Sequence, residues 1–465
     1  MKVEQLYTKC LAEAAYYIES EGEVAIIDPL RETQPYLEMA QHNNARIKYI
    51  FETHFHADFV SGHVDLAKQT GATIVYGPTA KAGFDIHTAT DGEEFKVGKL
   101  TIKVLHTPGH TMESATFLLL DENRKEHAIF TGDTLFVGDV GRPDLAVKTD
   151  LTREDLAGHL YDSIWNKIMP LPDDVILYPG HGAGSACGKN IGKETYDTLG
   201  NQKRVNYALQ KMSKEAFIKE VTSGLLPPPQ YFPKNAMINK TGYESLNDVM
   251  KKGNTALSLA AFKKEADNGA LIIDTRTQQE YVKGSVPGSL FIGVGGDFAI
   301  WLGTLVQDIK QPILFIANQG KEEEVVLRAS RVGYDNVVGY LEGGFGTWTS
   351  AGEKVETITS ITAEEFAKRM GERTILDVRK PGEFEAEHVE KASTFPLDYI
   401  NSNLDKLDRN KPYFVHCAGG YRSVIASSIL KANGITNVID VAGGMGAILK
   451  TDAPVTAYVC PSTLL

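Results

Sequence analysis

Cysteine is scarce in this chain of 465 residues: four in all, and no two in a C-x-x-C spacing. Cys10, Cys187, Cys417 and Cys460 lie too far apart for a zinc knuckle or a disulfide framework, so each is judged by its own surroundings. Long apolar runs are missing too. No stretch approaches the roughly 18 residues a membrane helix needs, and the opening MKVEQLY has no signal-peptide character. Positive charge is in deficit, 48 Lys plus Arg against 60 Asp plus Glu, a net charge of -12. That balance argues against a nucleic-acid or anionic-membrane partner. The expectation is a cytoplasmic protein with neither membrane nor nucleic acid as partner. Hydrophobic residues at 42% and charged ones at 23% are ordinary for a globular chain. Its length exceeds one domain of roughly 100–200 residues.

Short β-branched runs fill the first half: VAIIDP, YIFETH, TIVYGP, LTIKVLHTPGH, HAIFTGD and DVILYPGH. In several of them the polar residues come just past the strand end, where layered α/β proteins gather functional groups. The Pro-rich stretch from Gly224 through Pro229 to Pro233 reads as a stiff connector that continues neither helix nor sheet. Beyond it the sequence repeats with an offset of about a hundred residues. Leu271–Arg276 matches Ile375–Arg379, Pro312–Phe315 matches Pro412–Val415, and Gly343-Gly344 matches Gly443-Gly444. Strands alternate with amphipathic stretches such as Ala363–Met370, which predicts parallel sheets flanked by helices. Three α/β domains are expected, at 1–240, 241–355 and 356–465.

Two constellations carry chemistry. The first is His54-Phe55-His56-Ala57-Asp58-Phe59, joined by Thr107-Pro108-Gly109-His110, Thr131-Gly132-Asp133 and Pro179-Gly180-His181. Imidazoles and carboxylates are the donor set of a first-row transition metal, and four such strand-end pieces together predict a metal site. The second is His416-Cys417-Ala418-Gly419-Gly420-Tyr421-Arg422-Ser423, set between an apolar strand and a helix-like run. A cysteine at a helix N-terminus has amides aimed at its sulfur, supplied here by Gly419 and Gly420. Those amides and the charge of Arg422 favour a thiolate and a bound anion. Cys417 is the expected nucleophile. Cys10, in CLAEAAYYI, reads as a plain core residue.

Residues 1 to about 240 resemble the persulfide dioxygenase branch of the metallo-β-lactamase fold, an αββα sandwich. The resemblance rests on Asp28, the THxHxD loop at Thr53–Asp58, Gly62-His63, TPGH at 107–110, TGD at 131–133, GRPD at 141–144 and PGH at 179–181. It implies a single Fe(II) per chain held by His54, His110 and Asp133, with His56, Asp58 and His181 orienting ligands and bound waters. The loop departs from H-x-H-x-D-H at Phe59, which cannot ligate a second metal. Arg142 stands where the resemblance implies contact with the thiol's polar tail; its other reading is an ion pair with Asp144. Cys187 reads either as a buried inert thiol or as a persulfide carrier beside the iron, with Lys189 favouring its thiolate. The last repeat resembles the rhodanese sulfurtransferase domain, and its six-residue loop Cys417–Arg422 suits sulfur transfer rather than phosphate. The middle repeat has Ala317 and Glu322 opposite Cys417 and Arg422, and reads as a catalytically dead copy.

Together these resemblances imply O2-dependent oxidation of a glutathione, coenzyme A or similar persulfide to sulfite and thiol. Cys417 would pass sulfane sulfur to that sulfite to give thiosulfate, in a homo-oligomer, dimer or tetramer. Two other readings stand beside it: a zinc-dependent thioesterase of glyoxalase II type fused to a rhodanese, and a non-catalytic persulfide carrier or sensor.

Overall fold

The structure is a computed structural model that describes residues 1–147 and 150–459. Cys460 lies outside the described residues. The chain forms two compact units, Met1–Leu246 with Ser330–Gly333, and Asn247–Ala329 with Tyr334–Leu465.

The first unit holds two six-stranded sheets. One contains β1 (Lys2–Thr8), β2 (Glu13–Ser20), β3 (Glu23–Ile27), β4 (Arg46–Glu52), β5 (Thr73–Tyr76) and β6 (His87–Thr88), in that order. The other contains β7 (Glu94–Val97), β8 (Leu100–His106), β9 (Ala115–Leu120), β10 (Glu126–Gly132), β11 (Ile176–Pro179) and β12 (Asp197–Thr198), ordered β12-β11-β10-β9-β8-β7. The period of two along each strand decides which layer a side chain joins. In β2, Ala14, Tyr16 and Ile18 enter the core between the sheets, while Ala15 and Tyr17 turn to the helices outside. In β9, Phe117 and Leu119 face the inter-sheet core, and Leu118 and Leu120 the other helix layer. Both faces of these strands are buried, so they read as apolar runs rather than as alternation. Each fully buried Phe, Leu or Ile contributes about 1.5–3 kcal/mol. An αββα sandwich results.

The metal-competent residues all follow strand ends. His54–Asp58 comes after β4, His110 after β8, Asp133 after β10 and His181 after β11. The Pro-rich stretch behaves differently from expectation at its far end. Phe232–Thr241 is a helix with Pro233 in its first turn, where a proline costs no hydrogen bond. Cys10 is half-buried in the turn between β1 and β2, not a core strand residue.

The second unit carries two five-stranded sheets of the same topology. The first has β13 (Ala256–Leu257), β14 (Leu271–Asp274), β15 (Leu290–Phe291), β16 (Ile313–Ile316) and β17 (Val337–Leu341), ordered 13-17-16-14-15. The second has β18 (Thr359–Ile361), β19 (Thr374–Asp377), β20 (Ser393–Thr394), β21 (Tyr413–His416) and β22 (Val438–Val441), ordered 18-22-21-19-20. All pairings within both are parallel, as the repeat predicts. Among the described residues no helix is long and apolar enough to cross a membrane.

Candidate functional site

Asp28 begins the construction of the site. Its two oxygens accept from the Thr53 backbone N–H (2.7 Å) and the Thr53 hydroxyl (2.8 Å), which fixes the loop after β4. The Thr53 hydroxyl also meets His54 Nδ1 at 2.9 Å, leaving Nε2 free. His110 is oriented likewise, its Nδ1 bonded to the Arg142 carbonyl at 2.9 Å. The two Nε2 atoms lie 3.8 and 3.4 Å from Asp133 Oδ2, an oxygen buried without a hydrogen-bond partner. Such spacings are long for hydrogen bonds. They are near the ~3–3.5 Å between donors that share one ion at about 2.1 Å. Burial and the neighbouring His56 hold the His54 imidazole well below its ordinary pKa, so it is neutral, as a ligand must be. Burial opposes the charge of Asp133, but His181, His54 and His110 keep it a carboxylate. His54, His110 and Asp133 fit a metal ion.

His181 is differently placed. Its Nδ1 lies 2.7 Å from Asp133 Oδ1 and its Nε2 2.7 Å from Asp58 Oδ2, ordinary hydrogen-bond distances. Burial disfavours its charge, yet the two carboxylates raise its pKa well above the usual value. Gly180 makes the approach possible, since a Cβ there would sit 2.8 Å from Asp133 Oδ1. Cys187 is buried, its sulfur within 4.8 Å of Asp58 and His181 donor atoms, so those three also form a possible metal-binding group. Burial, then the charges of Asp58 and Asp133, push the Cys187 thiol well up. Lys189 does not favour its thiolate: the ammonium is turned to the Glu220 carbonyl.

Arg142 is committed within the structure. Its guanidinium grips Asp144 at 2.7 and 2.8 Å and donates to the Ala186 and Leu226 carbonyls, at 3.2 and 2.5 Å. Of its two readings, the ion pair is the one present. Its backbone joins the His110 and Cys187 segments, donating its N–H to the Cys187 carbonyl at 2.9 Å.

In the second unit, Cys417 follows β21 and precedes the helix Tyr421–Ala432. The Gly420 amide donates to its sulfur at 3.1 Å, and the Ser423 hydroxyl lies 3.6 Å away. Gly444 carries the neighbouring loop across it: a Cβ there would sit 2.2 Å from the Cys417 carbonyl oxygen. In the middle copy the same contact joins Gly344 to Ala317, at 2.7 Å. Ala317 therefore occupies the position of Cys417. Arg422 is held by Glu383 through two bonds, at 2.7 and 2.8 Å. The middle copy buttresses this loop, since the Tyr421 hydroxyl donates to the Gly293 carbonyl at 2.8 Å.

The Metallo-beta-lactamase superfamily model matches residues 8–181, and the Rhodanese-like domain model matches 258–351 and 362–451. A probable hydroxyacylglutathione hydrolase of Schizosaccharomyces pombe is 32% identical over 35% of this chain and 60% of its own length. Human mitochondrial persulfide dioxygenase ETHE1 is 30% identical over 45% of this chain and 74% of its own. A crystal structure of a metallo-β-lactamase from Staphylococcus aureus subsp. aureus COL has a TM-score of 0.64 at 31% identity. It covers 74% of this chain and 98% of that one. The chain belongs to the metallo-β-lactamase superfamily. Two rhodanese-like domains follow its metallo-β-lactamase domain.

Within the metallo-β-lactamase domain, two further residues, Phe59 and Asn239, hold the His54–Phe59 loop. Phe59, wholly buried, lies against the His56 ring with centroids 4.4 Å apart. His56 in turn faces Asp28 Oδ1 at 3.1 Å and Glu52 Oε2 at 3.5 Å. Asn239, from the helix Phe232–Thr241, ties the loop down from outside: it donates to the His56 and Phe59 carbonyls (2.8 and 2.7 Å) and accepts from Ser61 N–H (2.9 Å). Nothing in the sequence marks it, because its partners lie some 180 residues away. Asn239→Ala leaves three buried backbone groups unpaired, so it should cost about 1–3 kcal/mol of stability and about 10–100-fold in metal affinity. Thermal melts and metal titration of the purified variant check both.

Proposed function

We propose that the metallo-β-lactamase domain is a one-iron persulfide dioxygenase and that the last rhodanese-like domain transfers sulfur on Cys417. The observation that carries the first part is the contrast in spacing around Asp133. Its Oδ2 faces His54 and His110 at distances suited to shared ligation, while its Oδ1 is closed off by a direct hydrogen bond to His181. Bound at His54, His110 and Asp133, Fe(II) would supply open positions for a thiolate sulfur and O2 side by side. The chain's own part is to orient the two imidazoles through Thr53 and the Arg142 carbonyl, and to aim Asp133 through His181. Asp58 completes that hydrogen-bonded line, and Phe59 fills the place where a further histidine would stand. Cys187 is assigned to sulfur handling beside the site; unchanged turnover in Cys187→Ser would remove it from the account.

For the second part, a cysteine held by a loop amide at a helix N-terminus is the arrangement of a sulfur-carrying nucleophile. Ala317 leaves the middle domain without one, which reads as a supporting copy. Joining both sites in one chain raises the effective concentration of sulfite at Cys417.

A second reading has its own support. Asp58, His181 and Cys187 could take a second ion, and hydroxyacylglutathione hydrolases are among the relatives. That reading makes the domain a zinc thioesterase.

Oxygen uptake with glutathione persulfide, with sulfite and thiosulfate quantified, separates the two. The dioxygenase reading expects uptake with multiple turnovers, and absence of uptake alongside thioester hydrolysis would overturn it. In the full chain, Cys417→Ser should keep oxygen uptake within about twofold. The same variant should lose thiosulfate formation from persulfide altogether, since the middle domain adds none.

A further inference from the structure

Within the loop Cys417–Arg422 the only charged side chain is Arg422. A guanidinium edge matches two oxygens of an oxyanion, and a dianion such as thiosulfate gains most from it. In this loop the edge is already taken. Arg422 Nη1 donates to Glu383 Oε2 at 2.7 Å and Nη2 to Glu383 Oε1 at 2.8 Å. Glu383 is pinned in turn, because Oε2 also accepts the Lys380 N–H at 3.0 Å, at the start of the helix Pro381–Ala386. The pair is only partly open to water, with side-chain exposures of 17% for Arg422 and 36% for Glu383. Asp398 adds a second acid, its Oδ2 buried without a hydrogen-bond partner. Burial opposes the charge of Arg422, but Glu383, Cys417 and Asp398 raise its pKa above the ordinary value. Arg379, which also acts on Glu383, is itself taken by Asp377 at 2.7 Å.

The middle domain shows what such a glutamate does as a plain helix cap. Glu280 holds the matching position and accepts from the Thr277 N–H at 2.9 Å and the Thr277 hydroxyl at 2.6 Å. Glu322 stands there in place of Arg422. Capping needs no arginine. The Arg422–Glu383 pair is therefore additional to capping, and it occurs in the copy that carries the cysteine.

We propose that Glu383 sets the donor specificity of Cys417: by withholding Arg422 from dianions, it makes an alkyl persulfide the donor and thiosulfate a poor one. The inference rests on reading Cys417 as the sulfur-carrying nucleophile. An alkyl persulfide brings at most one charge at its reacting end and needs no freed guanidinium. Thiosulfate must break both Arg422 bonds or approach two unbalanced carboxylates, a cost that discriminates against it. In loading, the Cys417 thiolate attacks the outer sulfur of the protonated persulfide. A bond forms from Cys417 to that sulfur, which keeps its proton; the donor's S–S bond breaks, and its electron pair leaves with the donor thiolate. In unloading, the sulfur lone pair of sulfite bonds to the outer sulfur, the bond to Cys417 breaks, and that electron pair returns to Cys417 as thiolate. The product gives its proton to water and becomes the dianion that this loop holds poorly, so it leaves and does not reload the cysteine.

The test is thiocyanate formation by the full chain without oxygen, with cyanide as acceptor and thiosulfate or glutathione persulfide as donor at constant ionic strength. The rate that Cys417→Ser loses is the rate counted. In the wild type the thiosulfate KM should exceed the persulfide KM by about tenfold or more. Glu383→Gln keeps an acceptor for the Lys380 N–H but not the charge, and should lower the thiosulfate KM about five- to tenfold relative to the persulfide KM. Glu383→Asp, which keeps the charge, should stay near the wild-type ratio. Loss of a helix cap alone would change kcat for both donors together. An unchanged KM ratio in Glu383→Gln overturns the proposal, and so does a wild type that uses thiosulfate at the lower KM, a result that needs no variant to fold. Calorimetric titration with sulfate reads the same pair without turnover: Glu383→Gln should bind sulfate about five- to tenfold more tightly than the wild type, and equal affinity overturns the proposal. Absence of thiocyanate from both donors would instead overturn the reading of Cys417, and the sulfate affinities would still decide on Glu383.

Discussion

The two oxygens of Asp133 do different work, and the metal site depends on that division. Oδ1 is tied to His181, which is itself tied to Asp58, so the carboxylate cannot rotate. Oδ2 is left bare at full burial, facing two imidazole nitrogens whose opposite ring atoms are already bonded. A buried carboxylate oxygen with no partner is costly unless something positive meets it. The arrangement is stable as part of a metal centre and strained in free energy without one. The strands behind it, packed on both faces, set the positions of all four loops and so the distances on which this depends.

The sulfur site of the second unit follows the same construction with different chemistry. A parallel strand ends, a glycine-rich turn follows, and a helix begins with the Gly420 amide turned toward sulfur. The helix N-terminus takes the place that the cation takes at the metal site. The middle domain keeps the framework, including the glycine that crosses the loop, but lacks the sulfur. What it retains is contact: Gly293 holds Tyr421, next to Arg422 in the Cys417 loop. A copy without the cysteine still forms a wall against its neighbour's Cys417 loop.

Much of this was legible in the sequence, for reasons particular to the residues. His54, His110, Asp133 and Cys417 stand at strand ends in unusual company, and few structural roles demand such company. The repeat showed itself through apolar strands at constant offset. Other parts were hidden by distance along the chain. Asn239 acts on a loop it is not near in sequence, and it sits in an unremarkable segment. Lys189 misled for the opposite reason: two positions from Cys187 in sequence, it points elsewhere. Phe232-Pro233 looked like a stop because proline ends helices, yet proline also begins them. For Arg142, the neighbouring Asp144 is visible in the sequence, but the bonds to the Ala186 and Leu226 carbonyls are not.

The central claim is that His54, His110 and Asp133 hold one ion and that no second ion shares the site. Metal content of protein purified anaerobically, compared with Asp133→Ala and Cys187→Ser, tests it most directly. The account predicts close to one iron per chain, lost in Asp133→Ala and retained in Cys187→Ser. Two ions per chain, one of them lost with Cys187, would contradict it.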